Sequence, residues 1–520
     1  MKKEISIDFK KWSSVIWIIA MEAIFLHIIQ ITARGRGYNS EDGAVWTICS
    51  VIVMIMCGIA LLGWFYMSFP LHRVFFFMAL SLGMTYLLFI PLFTVPDEGT
   101  HINTAYYVSN VLMGAEHTYG QVYMRGDDAA YPRINAGFSR LLLRNYFLDI
   151  TKGLSDESMY LVSGGTLPWY VMHQYLIAGV GITVGRLLHM GALVTLLLGR
   201  FFNLLFYTAC GTYAIKKMPQ EGKYLLFIIA LLPMSLQQAA SYSYDCVVIA
   251  LSFMIVSLSI FLLRQEESGK YKKEIVILII ACILFLPSKQ FAYFALCLLP
   301  LLIPVKWYMR KKEITINKKS KIICVGVMAA LCLIVFVIER HKGKGMVTTG
   351  NYIFWANEDG YTVPYIAANI RVCTNVFIDT LCVKLHWYIL GFIGIILGQL
   401  ELVANQTWAF VYMGLIFLTS FSMEKHQLLL EKKEKLCFVG AALITIACIF
   451  GGMWIGWTPL SSKYIEGVQG RYFIPVAFPL FILFNSDKIK VRESVLKVIP
   501  VIIAICSYMV IYDAFMLYPC

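Results

Sequence analysis

The chain predicts an all-α, polytopic transmembrane helical bundle, and three observations carry that prediction. Of its 520 residues, 59% are hydrophobic and only 14% are charged. Apolar runs repeatedly reach the roughly 20 residues that cross a bilayer as a helix. Lysines and arginines fall in short clusters between those runs, the pattern of cytoplasmic loops. No soluble domain of ordinary composition has this profile. The net charge of +13 does not indicate nucleic-acid binding, because the basic residues are dispersed. They form clusters such as Lys2, Lys3, Lys10 and Lys11; Lys216, Lys217 and Lys223; Lys306 and Arg310 to Lys312; and Lys488, Lys490, Arg492 and Lys497. Such clusters suit anionic lipid headgroups.

Placing the basic clusters inside predicts about 13 spans, with the N-terminus cytoplasmic and the C-terminus outside. They cover 14–33, 44–68, 73–95, 192–215, 223–240, 246–263, 274–287, 290–305, 321–338, 405–423, 436–456, 471–486 and 498–517. Residues 1–72 then form an N-terminal hairpin, 73–486 a membrane core and 487–520 a last span. The first apolar segment, Val15 to Ala33, contains Glu22 and His27 and lacks a small-x-small cleavage site, so it reads as a retained span. Two outer regions follow, 96–191 and 339–404, expected to carry amphipathic helices on the membrane surface. Leu167 to Leu188 is apolar enough to span, yet spanning would push Lys216 and Lys217 outside. It is expected to lie flat or re-enter, as is the short, glycine-rich stretch Trp387 to Leu400. The 14 cysteines mostly lie inside apolar runs, where they act as small hydrophobes. Cys373 and Cys382 are expected to be free thiols.

The richest motif is Pro96-Asp97-Glu98-Gly99-Thr100-His101, directly after the apolar run Val74 to Val95. Acids at membrane depth cost on the order of 2.5–3.5 kcal/mol on insertion scales, so two carboxylates at a span exit call for a chemical reason. Proton transfer, metal binding and cation coordination all fit. Asp97 also suits the start of a helix over Gly99 to Met113, but a cap does not account for Glu98 and His101.

Four further positions stand out. Asp245, in Ser241-Tyr242-Ser243-Tyr244-Asp245, lies at the outer end of two adjoining spans, where capping is an equal explanation. Lys289, in Leu286-Pro287-Ser288-Lys289-Gln290, is flanked by spans too short to reach the outer surface, which places a cation within the membrane. Arg471, in Gly467-Val468-Gln469-Gly470-Arg471-Tyr472, opens a span and presents a planar fork suited to phosphate or carboxylate. Arg200, mid-span, reads as a buried ion-pair partner. Arg371, His386, Gln469 and Tyr472 are candidate substrate contacts, and Glu401 a weaker one. The chain has no P-loop, no GxGxxG after a strand and no HExxH.

The acidic motif resembles that of the GT-C glycosyltransferases, integral membrane enzymes that use polyprenyl-phosphate sugars. Four segments together resemble a bacterial family of uncharacterised multi-pass proteins grouped with that superfamily, over about residues 90–485. They are PDEGTHINTAYYVSNVLMG, SYSYDCVVIALSF, PSKQFAYF and GVQGRYFIP. A single Pro168 departs from the family's double-proline form. The resemblance implies a GT-C-like fold in the bacterial cytoplasmic membrane, with the active site on its outer face. Catalytic residues would be Asp97, Glu98, His101 and Asp245, with Asp97 as general base. Lys289 and Arg471 would bind the lipid phosphate of a polyprenyl-phosphate sugar donor, and the acceptor would be a glycan or glycolipid. Some members of the superfamily use Mg²⁺ or Mn²⁺ and others none; Asp97 and Glu98 are the residues that would hold it. The competing reading is a transporter or flippase of a lipid-linked saccharide, which the missing inverted repeat disfavours.

Overall fold

The computed structural model describes residues 54–131, 149–265, 269–312, 351–424 and 426–516. The expected spans 14–33 and 321–338 lie outside them. The described residues are predominantly helical, with four two-stranded ribbons. Among the described residues, six helices are long and apolar enough to cross a membrane: Leu71–Phe89, Ala192–Lys217, Asp245–Leu263, Ile370–Ile393, Lys432–Trp457 and Glu493–Ala514. Shorter apolar helices cover Met54–Tyr66, Phe294–Trp307, Thr407–Ser420 and Gly470–Phe484. The chain is a helical membrane protein.

It divides into two compact units. The first comprises residues 1–254, 390–429 and 484–520. Its centre is the helix Ala192–Lys217, against which Leu71–Phe89 and Leu176–Leu187 pack. The last of these belongs to the segment expected to lie flat or re-enter. It begins as a 3₁₀ turn at Trp169–Tyr175 and continues as a 12-residue helix. Gly181 and Gly185, one turn apart, let two backbones touch. A Cβ on Gly181 would sit 2.4 Å from the Leu198 carbonyl oxygen, and one on Gly185 would sit 2.8 Å from Thr195 Cα. Small residues four apart are how membrane helices approach closely. The helix Glu98–Met113 packs on the same element, and a ribbon pairs Val122–Arg125 antiparallel with Met159–Val162.

Expected span 223–240 is broken. Gln220–Ala230 ends at Leu231, and Pro233 opens a second helix, Pro233–Ala239. Proline lacks the N–H that would continue the first helix but fits the first turn of a new one.

The second unit comprises residues 255–389 and 430–483. The helix Lys432–Trp457 opens with a capping box between Glu431 and Glu434, which satisfies two otherwise orphaned N–H groups. Lys272–Phe285 leaves Val276, Ile279, Ile280 and Ile283 exposed. That spacing is one apolar helix face, suited to lipid. The expected short hairpin is present: 14 helical residues, a turn, then a 3₁₀ helix over Phe294–Leu301. At 1.5 Å per residue the first arm is about 21 Å long, shorter than the roughly 30 Å hydrocarbon core. The stretch Trp387 to Leu400, expected to lie flat or re-enter, is not a separate segment: its first residues complete the helix Ile370–Ile393, which runs 24 residues and is long enough to cross. The helix continues through Trp387 to Ile393 because no glycine or proline interrupts it before Gly391, near its end.

Candidate functional site

In the first unit the acidic motif is split by the backbone. Asp97 sits in the left-handed region at φ 61° and precedes the helix Glu98–Met113. Aspartate is among the few residues that tolerate this conformation. The Asp97 side chain is exposed and does not cap its helix; its carbonyl instead accepts from the N–H groups of Thr100 and His101.

Glu98 points the other way and is 1% exposed. Its Oε1 accepts from Arg200 Nε (2.8 Å) and from the Tyr242 N–H (3.3 Å). Its Oε2 accepts from the Phe93 N–H (2.8 Å) and from Arg200 Nη2 (2.5 Å). Arg200 also donates to the carbonyls of Ile90 and Pro91, the last turn before the motif. Arg200 is thus the buried ion-pair partner expected of it. A carboxylate has about four acceptor positions, and all four of Glu98's are taken. Sharing a divalent cation with Asp97 would require giving one up, so the Asp97–Glu98 pair as folded does not fit a common metal. Among the described residues, no group of three or more His, Cys, Asp and Glu side chains is arranged to hold one.

His101, one turn beyond Asp97, is 6% exposed, and its Nδ1 lies 2.6 Å from the Tyr175 hydroxyl. The two rings stack at 5.8 Å, and Tyr244 meets both edge-on, at 5.5 and 6.1 Å. Asp245 follows Tyr244 and is 3% exposed. Burial, then Tyr244, Asp245 and Asp97, push the Tyr175 hydroxyl well above its ordinary pKa. It therefore stays protonated and available to donate to His101. His101 thus shares one aromatic cluster with Tyr175 and Tyr244, and the carboxylates of Asp245 and Asp97 are near enough to act on the Tyr175 hydroxyl. Tyr175, whose sequence signal was only that of an interfacial aromatic, ties it together. The same unit holds an apolar pocket lined by Tyr86, Phe89, Ile90, Leu397, Leu402 and Ile511, among others.

In the second unit the two cations meet. Lys289 Nζ lies 4.4 Å from the centroid of the Tyr472 ring, and Arg471 Cζ lies 5.4 Å from it. Arg471 is 4% exposed, and the Tyr293 hydroxyl donates to the Tyr472 carbonyl at 2.9 Å. Lys289, Gln290 and Phe291 are consecutive left-handed residues, at φ 48°, 53° and 66°. Such a run in non-glycine residues costs roughly 1–2 kcal/mol each. Gln469 places a buried Oε1 nearby in sequence, without a hydrogen-bond partner among the described residues. Arg371 and His386 are exposed on the helix Ile370–Ile393, about 22 Å apart along its axis. His386 packs against Trp387, and neither joins the Tyr472 cluster among the described contacts. Glu401 is exposed. An ion pair the residue pattern did not reveal, Lys384–Glu466 at 2.5 Å, ties this helix to the loop that leads to Arg471.

A comparison with curated proteins and with solved structures finds no match. A family model matches residues 80–480, a stretch that begins within the helix leading to the acidic motif and ends beyond Arg471. The chain belongs to that family, described as predicted membrane protein DUF2142.

Proposed function

We propose that the protein is a GT-C-type membrane glycosyltransferase that moves a sugar from a polyprenyl-phosphate donor to a glycan or glycolipid on the outer face of a bacterial cytoplasmic membrane. The observation that carries this reading is the meeting of Lys289 and Arg471 on one ring, Tyr472. A cation at the tip of a hairpin too short to cross, joined on one ring by a second cation from the start of another helix, suits a lipid phosphate. The proposal includes about 13 spans and a cytoplasmic N-terminus.

Asp97 is assigned as general base, because its carboxylate is exposed while that of Glu98 is committed to Arg200. It takes the proton of the acceptor hydroxyl. The hydroxyl oxygen forms a bond to the sugar C1, and the bond from C1 to the phosphate oxygen breaks with its electron pair going to the phosphate. Lys289 and Arg471 are assigned to hold the donor's phosphate. Glu98, with Arg200, fixes the helix that carries Asp97 and His101, and the His101–Tyr175 pair orients the acceptor beside Asp245.

The test is sugar transfer by the protein reconstituted in lipid vesicles, from radiolabelled prenyl-phosphate sugars to a panel of acceptors. Transfer by the wild type, and its loss in Asp97→Asn and in Lys289→Gln/Arg471→Gln, is expected. Movement of intact donor across the vesicle with no transfer to any acceptor would instead establish a transporter.

A further inference from the structure

A second cluster of charges lies apart from the acidic motif, in the same unit. Arg125 ends the strand Val122–Arg125 and is 4% exposed; Arg186 lies in the helix Leu176–Leu187 and is 6% exposed. Arg125 Nε donates to Asp128 Oδ2 at 2.7 Å, and its Nη2 donates to Asp128 Oδ1, Thr195 Oγ1 and the Met190 carbonyl. Tyr106 donates to Asp128 Oδ2 at 2.6 Å, so three of that carboxylate's roughly four acceptor positions are taken without Arg186. Arg186 Nη1 instead donates to neutral groups, Ser109 Oγ and Asn110 Oδ1, and its guanidinium stacks 4.8 Å over the Tyr106 ring.

The charge count inside this shell is two guanidiniums against one carboxylate. Burial pushes the Tyr106 hydroxyl up, so it supplies no second negative charge. The other acids nearby in sequence lie outside the buried shell and hold other partners: the half-buried Asp127 and Asp156 accept from Ser155 and Ser158, and the exposed Glu157 pairs with His189. Two donors are left over. Arg125 Nη1 and Arg186 Nε are buried with no hydrogen-bond partner among the described residues. An unmatched buried charge and unmade charged hydrogen bonds are each expensive. Burial is the main cause that lowers the pKa of Arg186; Tyr106 opposes it, Arg125 adds to it and Asp128 opposes it, and arginine stays protonated. The shell is close to solvent, because Met159 and Met190, which close it, are only half-buried.

We propose that Arg125 and Arg186 together bind one small monovalent anion of the chloride class, which completes the packing of the Tyr106 face of the helix Glu98–Met113 against the helix Leu176–Leu187. It belongs to the outer region and takes no part in the proposed transfer.

The experiment is thermal unfolding of the full-length protein in detergent, in sodium salts at constant ionic strength. Chloride and bromide are expected to raise Tm by several degrees over gluconate and sulfate, saturably. Non-specific salt effects run the other way, since sulfate strengthens burial. Arg186→Gln should abolish the difference. A direct readout is the ³⁵Cl NMR line width, which should broaden with wild-type protein, sharpen on adding bromide and stay sharp with Arg186→Gln. Equal Tm in chloride and gluconate, or broadening that Arg186→Gln retains, overturns the proposal; in the first case water satisfies the orphaned donors.

Discussion

Glu98 and Arg200, 102 residues apart in sequence, form an ion pair in which both side chains are completely buried. The pair clamps the start of one helix to the middle of another and, through the Ile90 and Pro91 carbonyls, to the end of a third. It is the mechanical centre of the acidic motif.

Breaking that clamp from one side leaves an uncompensated buried charge. Glu98→Gln and Arg200→Met are each expected to destabilise by about 3–5 kcal/mol. The double variant is expected to be less destabilised than the sum of the two. Thermal unfolding of the four proteins in one detergent closes the cycle; additive losses would show that the two residues act independently.

Asp97 is expected to behave in the opposite way. It is exposed and bonds to nothing through its side chain in its own helix cap. Asp97→Asn should change stability by less than about 0.5 kcal/mol while lowering transfer by about 10²–10⁴-fold. Asp97→Gly, which suits φ 61°, should fold at least as well and be equally inactive. A large fall in Tm for either variant would recast Asp97 as structural.

The left-handed turn makes a separate prediction. Gln290 is exposed at φ 53°, so Gln290→Gly should stabilise the protein by about 1 kcal/mol by removing strain. Lys289→Gln and Arg471→Gln should each weaken binding of farnesyl phosphate, but not of farnesol, in a calorimetric titration. Tyr472→Leu should weaken it as well, because both cations pack on that ring. Unchanged affinity in all three variants would remove the phosphate from this site.

Acid should loosen the loop before the ribbon in a defined window. Asp127 accepts from the Ser155 hydroxyl (2.7 Å) and the Ser155 N–H (2.5 Å), which hold its carboxyl below the ordinary value of 3.8. A lowered folded pKa means the contribution is fully present above about pH 4 and is lost as pH falls through the lowered value. Pepsin cleavage within residues 150–158 should therefore rise only below about pH 4 in the wild type. In Asp127→Asn and Ser155→Ala it should be fast from pH 5 downward. Identical pH profiles would dissociate the loop from this contact.

Reading residues alone determined the membrane class, because apolar runs and basic clusters are one-dimensional signals that survive without a fold. It also singled out Asp97, Lys289 and Arg471, since a charge in or beside an apolar run is conspicuous wherever the run goes. It located the short hairpin from length alone. It misjudged 223–240, where two apolar arms around Pro233 read as one, and it set Trp387 to Leu400 apart as a short, glycine-rich stretch although its first residues end a longer helix.

The division of labour within the acidic motif was decided only by tertiary structure. Asp97 and Glu98 are adjacent and chemically alike, and nothing local distinguishes them. A left-handed residue followed by the first turn of a helix turns the two side chains to different sides, and only the position of Arg200 decides which side is packed. The same holds for Arg125 and Arg186, whose excess of charge becomes visible only once the 60 intervening residues, between positions 125 and 186, have folded two guanidiniums around one carboxylate.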